Sequence, residues 1–244
     1  MVRLMSLLLL AGAVTVAAPA PAAEDRGPGI AGERQGDALV YRVANFRSAA
    51  IGTAGTAEVR VGPEWSLRIS GPPAALANLR VEVKDGRLEI GKRDRRRRDA
   101  GGERIAIALT LPRLDDIALG GSGRVRIDRV AGDTFAAAVG GSGSLTIGAL
   151  TADEATFSIG GSGSIGAAGR VRDATVNIGG SGRFDAPGLV AGAAKVAAAG
   201  SGGARLTVDG PADVSLVGSG TVDLGPRARC TTTRMGSGRV ICGR

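Results

Sequence analysis

The tripeptide Gly-Ser-Gly recurs seven times, centred on Ser122, Ser142, Ser162, Ser181, Ser201, Ser219 and Ser237, at intervals of 20, 20, 19, 20, 18 and 18 residues. A period of this length and constancy marks stacked structural units. It constrains the fold before any residue propensity is consulted, because every unit must present the same face to the next.

Apolar residues hold fixed positions around each serine. Three and five residues before and after Ser122 lie Ile117, Leu119, Val125 and Ile127; the same offsets from Ser142 give Ala137, Val139, Leu145 and Ile147. Phe157, Ile159, Ile165 and Ala167 repeat the pattern around Ser162, and it persists to Val214, Leu216, Val222 and Leu224 around Ser219. The residues between are mostly small or polar. Each unit therefore alternates with a period of two on both sides of a glycine turn, as two short strands around a corner would. A third apolar column, Val130, Leu150, Val171, Leu189 and Val208, gives each unit three inward-facing sides. Roughly 20 residues per turn and three sides predict an all-β fold, a parallel β-helix or solenoid with coils ~4.8 Å apart. An antiparallel meander or sandwich of the same hairpins is the competing arrangement. It would pair the two flanking strands with each other and would not need a constant register.

The corner glycines suit a turn that needs positive φ and close backbone approach. The serines read as a structural corner ladder, with hydroxyls in reach of the turn backbone or of the serine one coil away. They do not read as nucleophiles, because the chain contains no histidine and seven equivalent serines share one environment. GSG lacks the spacing, the following helix and the lysine of a phosphate-binding loop. It also lacks the aspartate of calcium-binding GGxGxD repeats, whose place is taken by the inward Val125, Leu145, Ile165 and Phe184. No catalytic, cofactor-binding or metal-ligating set is read, and no cofactor is expected.

Residues 1–22 read as a secretory signal peptide: Met1 and Arg3, an apolar run from Leu4 to Ala18, then small-x-small sites at Ala18-Pro19-Ala20 and Ala20-Pro21-Ala22. The run is too short to span a membrane and no later one reaches 18 residues, so no transmembrane helix is expected after cleavage. The expected location is the periplasm, the cell surface or the medium. Residues 23–37 are polar and glycine-rich and are expected to be a disordered lead-in. Residues 38–244 read as one β-helical domain, with an N-terminal β segment at 38–113 and the seven GSG coils at 114–244.

Cys230 and Cys242 are the only cysteines and flank the last corner. Export permits a disulfide that closes the last coil; two reduced thiols are the alternative. Thr232 and Arg234 interrupt the apolar pattern there, as a polar terminal cap would. The formal net charge is +8, and part of it sits in Lys92-Arg93-Asp94-Arg95-Arg96-Arg97-Arg98. This run is either a solvated loop or a contact made by Arg93, Arg95, Arg96, Arg97 and Arg98 with an anionic envelope polymer such as lipopolysaccharide or an acidic glycan. Aromatic residues are 2% of the chain, so neither base stacking on nucleic acid nor a sugar-stacking groove is expected.

In the first half, strands are expected at Leu39 to Val43, Ala57 to Val61, Ser66 to Ser70, Arg80 to Lys84, Arg87 to Gly91 and Ile105 to Leu111. Lys84-Asp85-Gly86 is a hairpin signal, and one helical turn is expected at Ala74 to Leu79 after Pro72-Pro73. The segment would form either wider coils of the helix or a small sheet covering its N-terminal end.

The ordered set Val43-Ala44-Asn45-Phe46, Ala57-Glu58-Val59-Arg60-Val61, Val83 to Ile90, Ile107 to Pro112 and the GSG series resembles the putative auto-transporter adhesin head GIN domain proteins. The resemblance runs from about Tyr41 to the C-terminus. It implies an exported β-helical domain of uncharacterised role, and it carries over no catalytic residues.

Two classes of function follow. One is a non-enzymatic cell-envelope protein, an adhesin-like binding or scaffold module whose partner is an anionic polymer or another envelope protein. Its outward residues before each corner are small: Ala118, Ala138, Ser158, Asn177, Ala197 and Ser215, then Gly120, Gly140, Gly160, Gly179 and Ala199. The other is a polysaccharide lyase or hydrolase acting on acidic glycans, an analogy at the level of fold. Its acids would be Asp133, Asp153, Glu154, Asp173 and Asp213, which recur near one corner and otherwise read as turn-capping residues.

Overall fold

A computed structural model of the chain describes residues 29–94 and 105–243; the expected signal peptide and Arg95 to Arg98 lie outside the described residues. Of the described residues 71% lie in strands and 2% in helix, arranged as a β-solenoid. The first half holds β1 (Glu33–Gln35), β2 (Ala38–Tyr41), β3 (Ser48–Ile51), β4 (Gly55–Val61) and β5 (Ser66–Ser70). A short helix α1 (Pro73–Ala77), β6 (Leu79–Lys84), β7 (Arg87–Lys92) and β8 (Ile105–Leu111) follow. The repeat region runs through β9 (Asp116–Gly121), the long strands β10 (Arg124–Gly141), β11 (Ser144–Gly161), β12 (Ser164–Gly180) and β13 (Arg183–Gly200), then β14 (Gly203–Val208) and β15 (Pro211–Gly218). It ends with β16 (Thr221–Asp223), β17 (Arg229–Met235) and β18 (Arg239–Ile241).

Pairing throughout the repeats is parallel and follows the sequence period, which rules out the meander. Val125 lies beside Leu145, Ile127 beside Ile147, Val130 beside Leu150 and Val139 beside Ile159. All eight are buried. Because like positions stack, each coil meets an apolar floor and an apolar ceiling, and one continuous core results. That core is narrow and rich in alanine and β-branched residues. It also holds the contact of Phe157 with Phe184, ring centroids 4.7 Å apart.

The third side differs from the expected single column. The register shifts between Ile147 and Leu150, so Leu150 pairs with Gly169, and Ala152 pairs with Val171. Gly169 in turn pairs with Leu189, and Val171 with Ala191. Two inward columns therefore interleave in place of the single column the sequence suggests. The 19-residue interval loses its residue here, at a bulge whose Gly169 has φ +132°.

The corner is held by main chain. Ser142 N–H donates to Gly121 O at 3.0 Å, Ser144 N–H to Gly123 O at 3.0 Å, and Ser162 N–H to Gly141 O at 2.9 Å. Glycine is required on both sides of the serine. Gly141 has φ +114°, and a Cβ on Gly143 would lie 2.8 Å from both Gly123 O and Leu119 Cδ2. The serine side chains point outward and are exposed. One hydroxyl pair bonds between coils among the described residues, Ser219 Oγ to Ser201 Oγ at 3.2 Å. The expected side-chain glue is thus mostly a backbone ladder, with the serines stacked on its outer rim.

The N-terminal segment supplies both a further coil and a cover. β3 pairs in parallel with β9, and β4 with β10, so Gly52-Thr53-Ala54-Gly55 sits directly under Gly120 to Gly123 as an eighth corner without the GSG letters. Ala49, Ile51, Ala57 and Val59 hold the same inward offsets and are buried. Beneath it, β7 pairs with β3 and β8 with β4, again parallel. The chain thus places β3 and β4 between two levels that come later in sequence. Below those, β6 and β5 run antiparallel to β7 and β8, and β2 and β1 extend the antiparallel layer. The turn joining β6 to β7 has Asp85 at φ 50° and Gly86 at φ 73°, the two positive values that an Asp-Gly hairpin turn uses. The lead-in expected to be disordered contains β1, and Ile30 N–H donates to Val81 O at 2.7 Å. Its glycines serve this contact: a Cβ on Gly29 would meet Val81 O.

These contacts rank three substitutions. Ile147→Asp places a charge between Ile127 and Ala167 in the dry core and should cost several kcal/mol. Gly143→Ala must displace a backbone carbonyl and should cost about 1–3 kcal/mol. Ser142→Ala, on an exposed side chain, should cost about 0.5 kcal/mol or less. Thermal or urea unfolding of the three variants checks the order; a serine variant weaker than the alanine-for-glycine variant would break it.

Candidate functional surface

Because inward positions are consumed by the core, any function must use the outward columns, the corner rim and the two ends. On the face that leads into the corners, Ala118, Ala138, Ser158, Asn177, Ala197 and Ser215 stand on successive rungs, each directly over the last. Gly120, Gly140, Gly160, Gly179 and Ala199 form the adjacent column. Ala50 pairs with Ala118 and carries the face one level below the GSG repeats. The result is a flat sheet surface without long side chains. It changes at the C-terminal end, where the glycine column becomes Ala199, Val217 and Met235.

Two of the acids share one arginine. Arg172 lies between them, Nε to Asp173 Oδ2 at 2.9 Å and Nη1 to Asp153 Oδ1 at 3.6 Å, and all three side chains are more than half exposed. The hydrogen bond that Arg172 donates to Asp173 and the charge of Asp153 raise the Arg172 pKa above its ordinary value. Glu154 sits on the rung beside Asp173. Asp133 reaches Arg113 at 4.0 Å, while Arg113 Nε donates to Asp115 Oδ1 at 2.6 Å. Asp213 belongs elsewhere: it stands opposite Lys195, one outward column further on. Among the described residues no group of three or more His, Cys, Asp or Glu is placed to hold a metal ion.

One notch interrupts the face that follows the corners. Gly166 lacks a side chain between Thr146 and Asp185, leaving an open depression of about 410 Å³ rimmed by Ser162, Ser164, Ser181, Arg183 and Asp185. Nothing in the periodic pattern singles out Gly166; only its stacking neighbours do.

Of the cationic run, Arg93 is described. Its Nε donates to Leu79 O at 3.0 Å and its N–H to Asn78 O at 2.8 Å, so its guanidinium is tied to the β6–β7 hairpin. Burial raises the Tyr41 pKa, and the charge of Arg93 offsets part of that rise. Arg95 to Arg98 follow β7 in sequence and lie outside the described residues.

Two features tie the ends. Cys230 and Cys242 are bonded, with Cα atoms 6.2 Å apart and 12 residues of separation. Cys230 extends the inward column of Ala212, so the bond spans the open end of the core. Thr232 and Arg234, over Val214 and Leu216, are exposed because no coil covers them. At the other end Arg87, Ser48 and Asp116 occupy one column, and Arg87 Nη2 reaches past the serine to Asp116 Oδ1 at 2.9 Å. The contact lacks hydrogen-bond alignment, so this buried oxygen has no hydrogen-bond partner. Burial raises the Asp116 pKa, opposed by the Arg87 charge.

Two outcomes follow. Reduction, or Cys230→Ser with Cys242→Ser, should lower stability by at most ~2–3 kcal/mol, the loop-closure value for a spacing this short. Fraying of one terminal coil dilutes the loss; thermal melts with and without reductant measure it, and an unchanged melt with the bond shown by mass to be intact before reduction and broken after it would contradict it. For Asp116 the folded pKa is raised, so its stabilising effect is full below the unfolded value and is lost as pH rises through the folded one. Asp116→Asn should therefore gain on wild type as pH rises above the unfolded carboxyl value of about 3.9. A difference in Tm that is flat with pH would contradict this.

The sequence from residue 45 to 226 matches the family described as "Putative auto-transporter adhesin, head GIN domain". No curated protein is similar in sequence at a significant level. Among solved structures, a putative adhesin from Bacteroides fragilis superposes with TM-score 0.77 at 24% identity, covering 88% of this chain and 100% of that one. A putative lipid binding protein from Parabacteroides distasonis gives 0.65 at 19%, covering 88% and 99%. A putative adhesin from Parabacteroides merdae gives 0.64 at 15%, covering 89% and 100%. At these identities the likeness establishes the solenoid fold, and the sequence match establishes kinship: the chain belongs to the head GIN domain family of putative auto-transporter adhesins.

Proposed function

We propose that the protein is a non-enzymatic, exported binding module of the cell envelope that meets a flat partner through the small-residue face of its solenoid. The observation that carries this reading is the unbroken stacking of Ala, Ser, Asn and Gly from Ala118 to Ser215 and from Gly120 to Ala199. Side chains this short cost little conformational entropy when covered, and they let a second surface approach the sheet closely. The partner is another envelope protein or an anionic envelope polymer, the latter drawn by the arginine run at 93–98. The exposed Arg172 pairs support a structural role for Asp153 and Asp173 over a catalytic one.

The test raises long side chains from the face. Ala138→Arg with Ser158→Arg should leave unfolding within about 0.5 kcal/mol and abolish retention of the protein on washed cell envelopes. Serine at Arg95 to Arg98 should instead weaken only salt-sensitive binding to lipopolysaccharide or acidic glycan. Full retention by the face variant would overturn the reading, as would turnover of pectate, alginate or heparan-type polymers that disappears in Asp153→Asn or Asp173→Asn.

A further inference from the structure

Charge is divided along the solenoid. From Asp116 to Asp223 the chain carries eight basic and ten acidic side chains; from Leu224 to Gly243 it carries Arg227, Arg229, Arg234 and Arg239 and no acid. Arg227 is paired with Asp209. The other three have no carboxylate partner among the described residues. Arg234 Nη1 donates to Gly238 O at 3.1 Å, which holds its guanidinium against the last corner.

The same coil gathers exposed apolar side chains. Met235 is 66% exposed, Val217 47% and Ile241 43%; among the described residues the one other large exposed apolar side chain, Trp65 at 38%, lies in the N-terminal segment. Val217 and Met235 are rung neighbours on one side of the last corner. Arg239 and Ile241 stand on the other side, over Thr221 and Asp223. The disulfide fixes this rim in place.

We infer that the C-terminal end of the solenoid docks end-on onto an anionic lipid surface, with Arg229, Arg234 and Arg239 at the headgroups and Met235 and Ile241 inserted between them. Charge complementarity identifies the surface as anionic, and the apolar tips distinguish lipid from a soluble polyanion, which would leave them in water. A second copy meeting cap to cap would oppose arginine to arginine. Docked this way, the coil axis stands upright on the membrane and the small-residue face remains free along its length. This surface is separate from the one proposed above, and either can fail alone.

Vesicle sedimentation tests it on the oxidised full-length protein, with phosphatidylglycerol vesicles against phosphatidylcholine vesicles. Binding should require the anionic lipid. Arg229→Ser/Arg234→Ser/Arg239→Ser should lower the partition coefficient about a hundredfold, at about fivefold per arginine, while serine at Arg95 to Arg98 lowers it less. Met235→Ser/Ile241→Ser should weaken vesicle binding and leave binding to dextran sulfate unchanged. A second measurement does not depend on loss of binding: tryptophan at Met235→Trp should be quenched by brominated lipid, while Trp65 of the wild type is not. The inference is overturned if the cap-arginine variant binds vesicles as wild type does, if the loop variant alone loses binding, or if tryptophan at 235 stays unquenched on bound vesicles.

Discussion

The whole structure depends on one close approach, the carbonyl of each corner glycine lying under the amide of the next corner. A parallel coil can repeat only if its turns stack as tightly as its strands, at ~4.8 Å. A turn with side chains at both shoulders cannot, because a Cβ at Gly143 would enter the space of Gly123 O. Removing both Cβ atoms lets the ladder of amides continue through the bend, so the backbone of each repeat is satisfied by its neighbour along the corner as well as along the sides. The apolar columns then have no freedom of register, and three modest sides become one core.

The legible part of the fold was whatever repeated. The period, the inward columns beside each serine and the parallel order all come from residues that recur, and the stacking of Ile127, Ile147 and Ala167 is the direct result. What did not repeat was harder to read. Gly52-Thr53-Ala54-Gly55 forms a corner with threonine where glycine stands elsewhere, and its inward residues Ala49 and Ala57 are too small to announce a column. The interleaving on the third side arises from deletions that shift register by one residue, and periodicity alone does not say where a deletion is absorbed. The sequence points to the serine hydroxyls, whereas the corner uses the serine N–H groups.

Function was less legible because a solenoid separates its two alphabets. Inward letters are fixed by packing, and outward letters are free to vary without cost to the fold. Arg172 between Asp153 and Asp173 looks, in sequence, like a recurring acidic corner; in space it is a solvated ion-pair chain. The flat face and the charged C-terminal rim are visible only once rungs are superposed, since their members are separated by a full period.

The insertion of β3 and β4 between later levels gives the molecule a direction. Neighbours in the repeat array are 20 residues apart, as Arg124 and Ser144 are, but Ser48 meets Asp116 across 68. The array can thus grow by short loop closures, one coil upon another, whereas the N-terminal level forms only when chain from both sides of a long gap is present. The same interlock means that the N-terminal end has no outermost coil that can peel away by itself: β3 is held from below by β7 and from above by β9. Coil-by-coil unzipping is open to the opposite end, where no later strand is interleaved. That end is where the only two cysteines of the chain are joined, so the covalent bond guards the one terminus from which a stack of identical rungs could be undone.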